Sequence, residues 1–238
     1  TGVITFSHTI YLGAADTAVL ATDLSAIGAK TTGTVTVSNA VDVSGTITAL
    51  KAALVTEATA VVAATAKVTI ADAAAAAVSI ADILAIDTTT SGLVTVSNAV
   101  VISGAAADIT TALVTNGVVA ALAKITISDA ADVAIAATDL SAIDAVTTGV
   151  ITVTNAVEIT GATADVKTAL TSTGILAAKA KVTISDIEGT TINATDLSAI
   201  GNKTTGVVTV TNAIVISGTT VQVKAALVTD ATKVIAPT

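Results

Sequence analysis

Four copies of one repeat occupy almost all of this 238-residue chain. Two motifs recur together, Asp-(Leu/Ile)-(Ser/Leu)-Ala-Ile and Thr-Val-(Ser/Thr)-Asn-Ala, and successive copies of both are 59, 57 and 57 residues apart. The first motif begins at Asp23, Asp82, Asp139 and Asp196, and the second carries Asn39, Asn98, Asn155 and Asn212. Such a period indicates repeated units that bury their apolar faces against one another.

Each repeat divides again into two half-repeats of 26 and 31 residues. The division is marked by Asp or Asn at the end of the same short phrase, at Asp72, Asn98, Asp129, Asn155, Asp186 and Asn212. Counting back from the last residue predicts one domain, 1–238, with units 9–67, 68–124, 125–181 and 182–238. Residues 1–8 form an N-terminal extension.

The half-repeat begins with strand-like residues. Val94-Thr95-Val96 alternates apolar and hydroxyl side chains, which is the period of a half-buried strand, and Asn98 favours a turn. A second apolar run, 100–102, predicts another strand. Turns into the following strand are marked by glycine at Gly33, Gly92, Gly149 and Gly206.

Short helical segments follow the strands. Segments 47–55, 162–171 and 219–229 are rich in Ala, Leu and Lys, and Thr219 with Gln222 has the spacing of a capping box. We therefore predict a mainly β fold, a β-solenoid of about eight coils with a short helix or helical turn in each coil. A leucine-rich-repeat-like α/β horseshoe is the alternative.

The composition suits such a narrow interior and excludes several classes of function. Hydrophobic residues make up 53% of the chain but aromatic residues only 1%, so Ala, Val, Ile and Leu must fill the core. There is no Cys and one His, and the net charge is −8. We expect no catalytic residues, cofactor or metal site, no nucleic-acid partner and no membrane insertion.

The wording of segments 137–149, 161–170 and 182–186 is similar to known sequences. It resembles the Thr/Ala/Val-rich tandem repeats of giant secreted or cell-surface cyanobacterial proteins, some of them labelled hemolysin-type. The resemblance implies an extracellular structural, adhesive or filament-forming role without known catalytic residues. The Gly-Gly-x-Gly-x-Asp calcium nonapeptide of true hemolysin repeats is absent, so calcium binding is not expected.

The recurring charged residues have structural interpretations. Asp at the half-repeat positions could form a cation ladder, but Asn replaces it in alternate half-repeats, which favours helix capping and turn closure. Two sets of lysines could form a basic stripe, but a solvated edge is the simpler interpretation. These sets are Lys51, Lys167 and Lys224, and Lys67, Lys124 and Lys181.

Hydroxyl side chains are predicted to line an outer face of the strands. Its threonines are Thr36, Thr95, Thr126, Thr152, Thr154, Thr183, Thr209 and Thr211. Regular Thr-x-Thr arrays resemble ice-binding surfaces, so an ice-binding protein is one candidate function. The frequent serines at these positions favour an ordinary exposed strand face instead.

Both aromatic residues and the single histidine lie near the N-terminus, and the final unit stops in register without a polar cap. We predict a structural subunit that assembles head to tail into an open, extracellular or cell-surface homopolymer. The candidate interface residues are Phe6, His8, Tyr11, Ile235 and Pro237. A stalk segment of a giant surface adhesin or motility protein is the second candidate function.

Overall fold

Helices and short parallel strands alternate along the chain. The computed structural model describes residues 10–12, 18–38, 40–56, 61–229 and 234–236. Its helices are α1 (Ala21–Gly28), α2 (Ile47–Leu54), α3 (Ile80–Asp87), α4 (Ala106–Thr110), α5 (Ala137–Val146), α6 (Thr163–Thr171), α7 (Ala194–Gly201) and α8 (Thr220–Leu227). A π-helical turn, Thr111–Thr115, follows α4.

The strands contain two to four residues each. They are β1 (Ile10–Leu12), β2 (Ala18–Leu20), β3 (Val35–Val37), β4 (Asp42–Gly45), β5 (Val61–Val62), β6 (Lys67–Ile70), β7 (Ala77–Ser79), β8 (Val94–Val96), β9 (Val101–Gly104), β10 (Lys124–Ile127), β11 (Ala134–Ala136), β12 (Ile151–Val153), β13 (Glu158–Gly161), β14 (Ile175–Leu176), β15 (Lys181–Ile184), β16 (Thr191–Asn193), β17 (Val208–Val210), β18 (Val215–Ser217) and β19 (Val234–Ile235). The four turn glycines precede β3, β8, β12 and β17, as predicted.

The prediction of a mainly β solenoid is wrong, because the described chain is α/β. Eight helices of up to ten residues accompany the strands, and the strands lie in several separate small parallel sheets rather than in a closed solenoid. The leucine-rich-repeat-like alternative shares the α/β class, but its horseshoe requires one continuous sheet. The physical reason is that the Ala/Leu-rich segments form full helices. Their large side chains, such as Leu24, Leu50 and Ile83, are completely buried and supply part of the core.

The contacts divide the chain into two compact units. Unit 1 comprises Thr1–Ser103 and Thr111–Ala123, and unit 2 comprises Gly104–Thr110 and Lys124–Thr238. In unit 1 the strand orders are β1-β3-β5 and β2-β4-β6-β8, with β7 beside β9. In unit 2 they are β10-β12-β14, β11-β13-β15-β17-β19 and β16-β18. Consecutive helices pack together, α1 to α3 in unit 1 and α4 to α8 in unit 2.

Parallel neighbours come from successive half-repeats. Asp42 pairs with Lys67, Val68 with Val94, and Glu158 with Lys181. Within β8, Val94 and Val96 are buried while Thr95 is half-buried, which confirms the predicted alternation. Each strand therefore buries one apolar face and takes its hydrogen bonds from the half-repeats on either side.

A threonine closes the turn before four of these strands, and it is buried in three of them and half-buried at Thr90. In each Thr-x-Gly turn the glycine N–H donates to the threonine Oγ1 over 2.9 to 3.1 Å, at Thr31–Gly33, Thr90–Gly92, Thr147–Gly149 and Thr204–Gly206. The hydroxyls of Thr90 and Thr204 also donate to the carbonyls of Ala66 and Ala180 in the preceding half-repeat. One hydroxyl thereby satisfies two backbone groups and ties neighbouring half-repeats together.

Candidate assembly surface

Aspartates at the half-repeat positions cap helices of the preceding half-repeat. In each case a carboxylate oxygen accepts a hydrogen bond from the first backbone N–H of a helix, over 2.7 or 2.8 Å. The pairs are Asp72 with Ile47 of α2, Asp129 with Ala106 of α4, and Asp186 with Thr163 of α6. A carboxylate at a helix N-terminus satisfies an orphan donor and interacts favourably with the helix dipole. The capping role of these three aspartates is confirmed, and the capped helix lies 23 to 25 residues earlier in the chain. No N-cap side chain makes a capping hydrogen bond in the four described helices that carry an aspartate of the other recurring set, Asp23, Asp82, Asp139 and Asp196.

Asparagines hold these aspartates from the other side. The side-chain amides of Asn98, Asn155 and Asn212 donate to the backbone carbonyls of Asp72, Asp129 and Asp186 over 2.6 to 2.7 Å. Asp and Asn therefore alternate along the sequence because they have different roles: the aspartate caps a helix, and the asparagine binds the backbone carbonyl of that aspartate. Among the described residues no cluster of three or more His, Cys, Asp or Glu could hold a metal ion.

Replacing Asp186 with alanine is expected to lower the free energy of unfolding by about 2 kcal/mol. The change leaves the N–H and the hydroxyl of Thr163, a residue that is 5% exposed, without their shared acceptor. Urea unfolding followed by circular dichroism measures this loss. The control is Asp165→Ala in the first turn of α6, because Asp165 is exposed and its removal weakens only the interaction with the dipole. Equal losses for both variants would contradict the capping role.

Two ion pairs connect one helix to the next. Lys51 of α2 contacts Asp82 of α3 at 2.5 Å, and Lys167 of α6 contacts Asp196 of α7 at 2.6 Å. The side chains are 24% to 43% exposed, so each pair contributes little to stability, on the order of 0.5 kcal/mol. Their main effect is to fix the alignment of neighbouring helices, because the same two helix positions are paired between α2 and α3 and between α6 and α7. The predicted solvated edge thus contains partnered lysines.

The second lysine set contains a further pair on the surface. Lys181 Nζ donates to Asp132 Oδ1 at 2.5 Å, and both side chains are more than half exposed. The hydrogen bond and the charge of Asp132 raise the pKa of the Lys181 amine above its ordinary value of 10.5. This pair is well solvated, as predicted for the edge.

The apolar face of α8, the last described helix of unit 2, is covered only in part by the described residues. Among the described residues α8 packs against one helix, α7, whereas α2 packs between α1 and α3 and α6 between α5 and α7. Leu50 and Leu54 of α2, and Val166 and Leu170 of α6, are at most 5% exposed. The matching residues of α8, Val223 and Leu227, are only half-buried.

A shallow groove follows from this uncovered face. Its volume is about 410 Å³, and it is lined by Gly218, Thr220, Val223, Lys224, Leu227 and Val228. Val228 in this lining is 67% exposed, and Val221 on the same helix is 78% exposed. Exposed apolar side chains that cluster in this way mark interaction surfaces more often than isolated ones.

The predicted interface residues are placed only in part. Phe6, His8 and Pro237 lie outside the described residues. Tyr11 belongs to β1, where its backbone is in register with Thr36 of β3. Ile235 belongs to β19, the edge strand beside β17, and it is 58% exposed. Ile235 therefore lies on an element that packs against α8. The sequence predicted this helix but did not indicate it as part of the interface.

The predicted threonine face is divided among several sheets. Thr126 is in register with Thr152 in one sheet, and Thr183 with Thr209 in another. Thr95 is in register with Thr69, and Thr36 with Val62. Beyond Thr152 and Thr209 the rows continue with Leu176 and Ile235, so the hydroxyl array is interrupted by large apolar side chains.

Several of these hydroxyls also serve internal contacts. Thr154 and Thr211 are exposed, and their hydroxyls donate to the carbonyls of Ile127 and Ile184 over 3.1 Å. The Thr183 hydroxyl donates to the Glu158 carboxylate. The threonines therefore satisfy neighbouring half-repeats, which is a sufficient reason for their periodic recurrence.

Searches against protein-family models, curated proteins and solved structures returned no match for this chain. Within the described part of the chain, no helix is long and apolar enough to cross a membrane.

Proposed function

We propose that this chain is a structural repeat protein rather than an enzyme, and that its copies associate end to end into an open homopolymer. The observation that carries the proposal is the uncovered apolar face of α8. The same face of α2 and α6 is buried by a following helix. A contact between unlike surfaces that does not close into a ring produces a filament.

The edge strand next to this face adds to the proposal. β19 has a strand partner on one side only among the described residues, and its own Ile235 is exposed. An unpaired strand edge offers backbone donors and acceptors to another chain, and adjacent apolar residues add buried area. Together α8 and β19 form a surface of the kind that the internal half-repeats bury.

An extracellular or cell-surface location belongs to the same proposal. It rests on the resemblance of segments 137–149, 161–170 and 182–186 to repeats of giant secreted cyanobacterial proteins. Antibody labelling of intact cells tests it: labelling without permeabilisation is expected, and labelling only after permeabilisation would contradict it.

The stalk of a giant surface protein is the second candidate function. In that case a further repeat of the same polypeptide would cover α8, because the uncovered residues match those buried inside the chain. Reading the coding region on both sides distinguishes the two. Many additional units in one reading frame favour the stalk, and a short frame favours the homopolymer.

Sedimentation velocity over a range of concentrations tests the association. We expect the weight-average sedimentation coefficient of the wild-type chain to rise with concentration. Val228→Asp should abolish the rise, because it places a charge in the lining of the groove while leaving the 67%-exposed position unstrained. The control is Ile187→Asp, which alters an 81%-exposed residue in the turn before β16 and should assemble normally. A wild-type chain that remains monomeric at every concentration would contradict the proposal.

A further inference from the structure

Helices α1 and α7 have the same eight residues but different surroundings. Both read Ala-Thr-Asp-Leu-Ser-Ala-Ile-Gly, and α7 packs between α6 and α8 while α1 packs against α2 alone among the described helices. Ile200 of α7 is fully buried, whereas the matching Ile27 of α1 is only half-buried. The difference identifies the face of α1 that corresponds to the one α6 covers on α7.

The first and last described helices each carry a charged residue that has no ion-pair partner among the described residues, and the two charges are opposite. Lys224 occupies in α8 the position of Lys51 in α2 and Lys167 in α6, and it has no ion-pair partner among the described residues. Asp23 occupies in α1 the position of Asp82 in α3 and Asp196 in α7, and it also lacks one. The first and last described helices thus each carry one half of the recurring ion pair.

We propose that α8 of one copy docks against α1 of a second copy, with Lys224 paired to Asp23 across the contact. This inference rests on the proposed function and names the partner surface. The contact would repeat those between α2 and α3 and between α6 and α7, where the first helix supplies the lysine and the second the aspartate. Val223 and Leu227 would be covered by Ala26 and Ile27 of the second copy.

The N-terminus of α8 is capped in a way that does not require an aspartate from the second copy. In α2, α4 and α6 the first backbone N–H donates to an aspartate from the next half-repeat. Each of these aspartates lies eight residues before the start of the helix that follows, α3, α5 or α7. Eight residues before α1 the sequence has Gly13, which lies outside the described residues. Helix α8 instead has a capping box formed by Thr219 and Gln222 within its own half-repeat. Its N-terminus is therefore stabilised without a carboxylate from the partner.

Charge reversal at either end provides the test. We expect Lys224→Asp alone, or Asp23→Lys alone, to weaken self-association at low ionic strength about tenfold or more, because attraction becomes repulsion. An equimolar mixture of the two variants should assemble again. The new aspartate at position 224 of one variant can pair with the new lysine at position 23 of the other. The unchanged Lys224 of the second variant can pair with the unchanged Asp23 of the first. Light scattering reports assembly, and circular dichroism confirms that each variant is folded.

The controls reverse exposed charges elsewhere in unit 2. Lys179→Asp and Glu188→Lys make the same changes in net charge, and both should assemble like the wild type. Normal assembly of both terminal reversals would overturn this docking surface while leaving end-to-end association intact. Two folded reversals that fail to assemble when mixed would overturn the ion pair. A wild-type chain that never associates would overturn the proposed function and this inference together.

Discussion

Gly206→Ala is expected to lower the free energy of unfolding of unit 2 by about 3 kcal/mol or more. An added Cβ would lie 2.1 Å from the carbonyl oxygen of Ala180 and 2.7 Å from its carbonyl carbon. Both atoms are backbone, so the clash cannot be relieved by rotating a side chain. The same carbonyl accepts the hydrogen bond from the buried Thr204 hydroxyl, which the clash would also disturb.

Gly189→Ala is the matched control for this substitution. Gly189 has φ +79, and nothing lies within 4 Å of an added Cβ, so only backbone strain of about 1–2 kcal/mol is expected. Urea unfolding followed by circular dichroism suits a chain with no Trp and one Tyr. Equal losses of unfolding free energy for the two variants would contradict the close contact between Gly206 and the backbone of Ala180.

Ile200→Ala is expected to cost about 3 kcal/mol, and Ile27→Ala in the identical helix about 1 kcal/mol. The two positions have the same local sequence, so helix propensity cancels and the difference reports packing by the neighbouring helices. Ile200 is fully buried next to α6 and α8, whereas Ile27 is half-buried in a monomer. Thermal or urea unfolding at a concentration below assembly measures both values.

The same pair of variants separates folding from assembly. Ile27→Ala should weaken self-association, since the side chain lies on the face proposed to meet α8 of another copy. An equal loss of stability at the two positions in dilute solution would show that α1 is covered by its own chain. That result would remove the matched surface on which the docking proposal depends.

The local elements were predictable where the signal lies within one half-repeat. Val94-Thr95-Val96 alternates as a strand should, the turn glycines precede strands, and Thr219 and Gln222 form the predicted capping box. The balance between helix and strand was not predictable in this way. Segments of eight residues form full helices because neighbouring helices bury one side of each, and local composition carries no record of that packing.

The contacts between half-repeats could not be predicted from the sequence of one half-repeat. Lys51 and Asp82 are separated by 31 residues and Lys167 and Asp196 by 29, distances close to one half-repeat. Each residue type taken alone suggested a solvated lysine or a helix cap, and only the register of the stacked helices pairs them. The uncovered face of α8 could not be recognised from sequence either, since its residues match those that α2 and α6 bury.

Electron microscopy of the wild-type chain at high concentration tests end-to-end association most directly. We predict unbranched fibres that disappear in Val228→Asp and in Lys224→Asp, and that return when Lys224→Asp is mixed with Asp23→Lys. Dispersed single particles of the wild-type chain at every concentration would contradict end-to-end association.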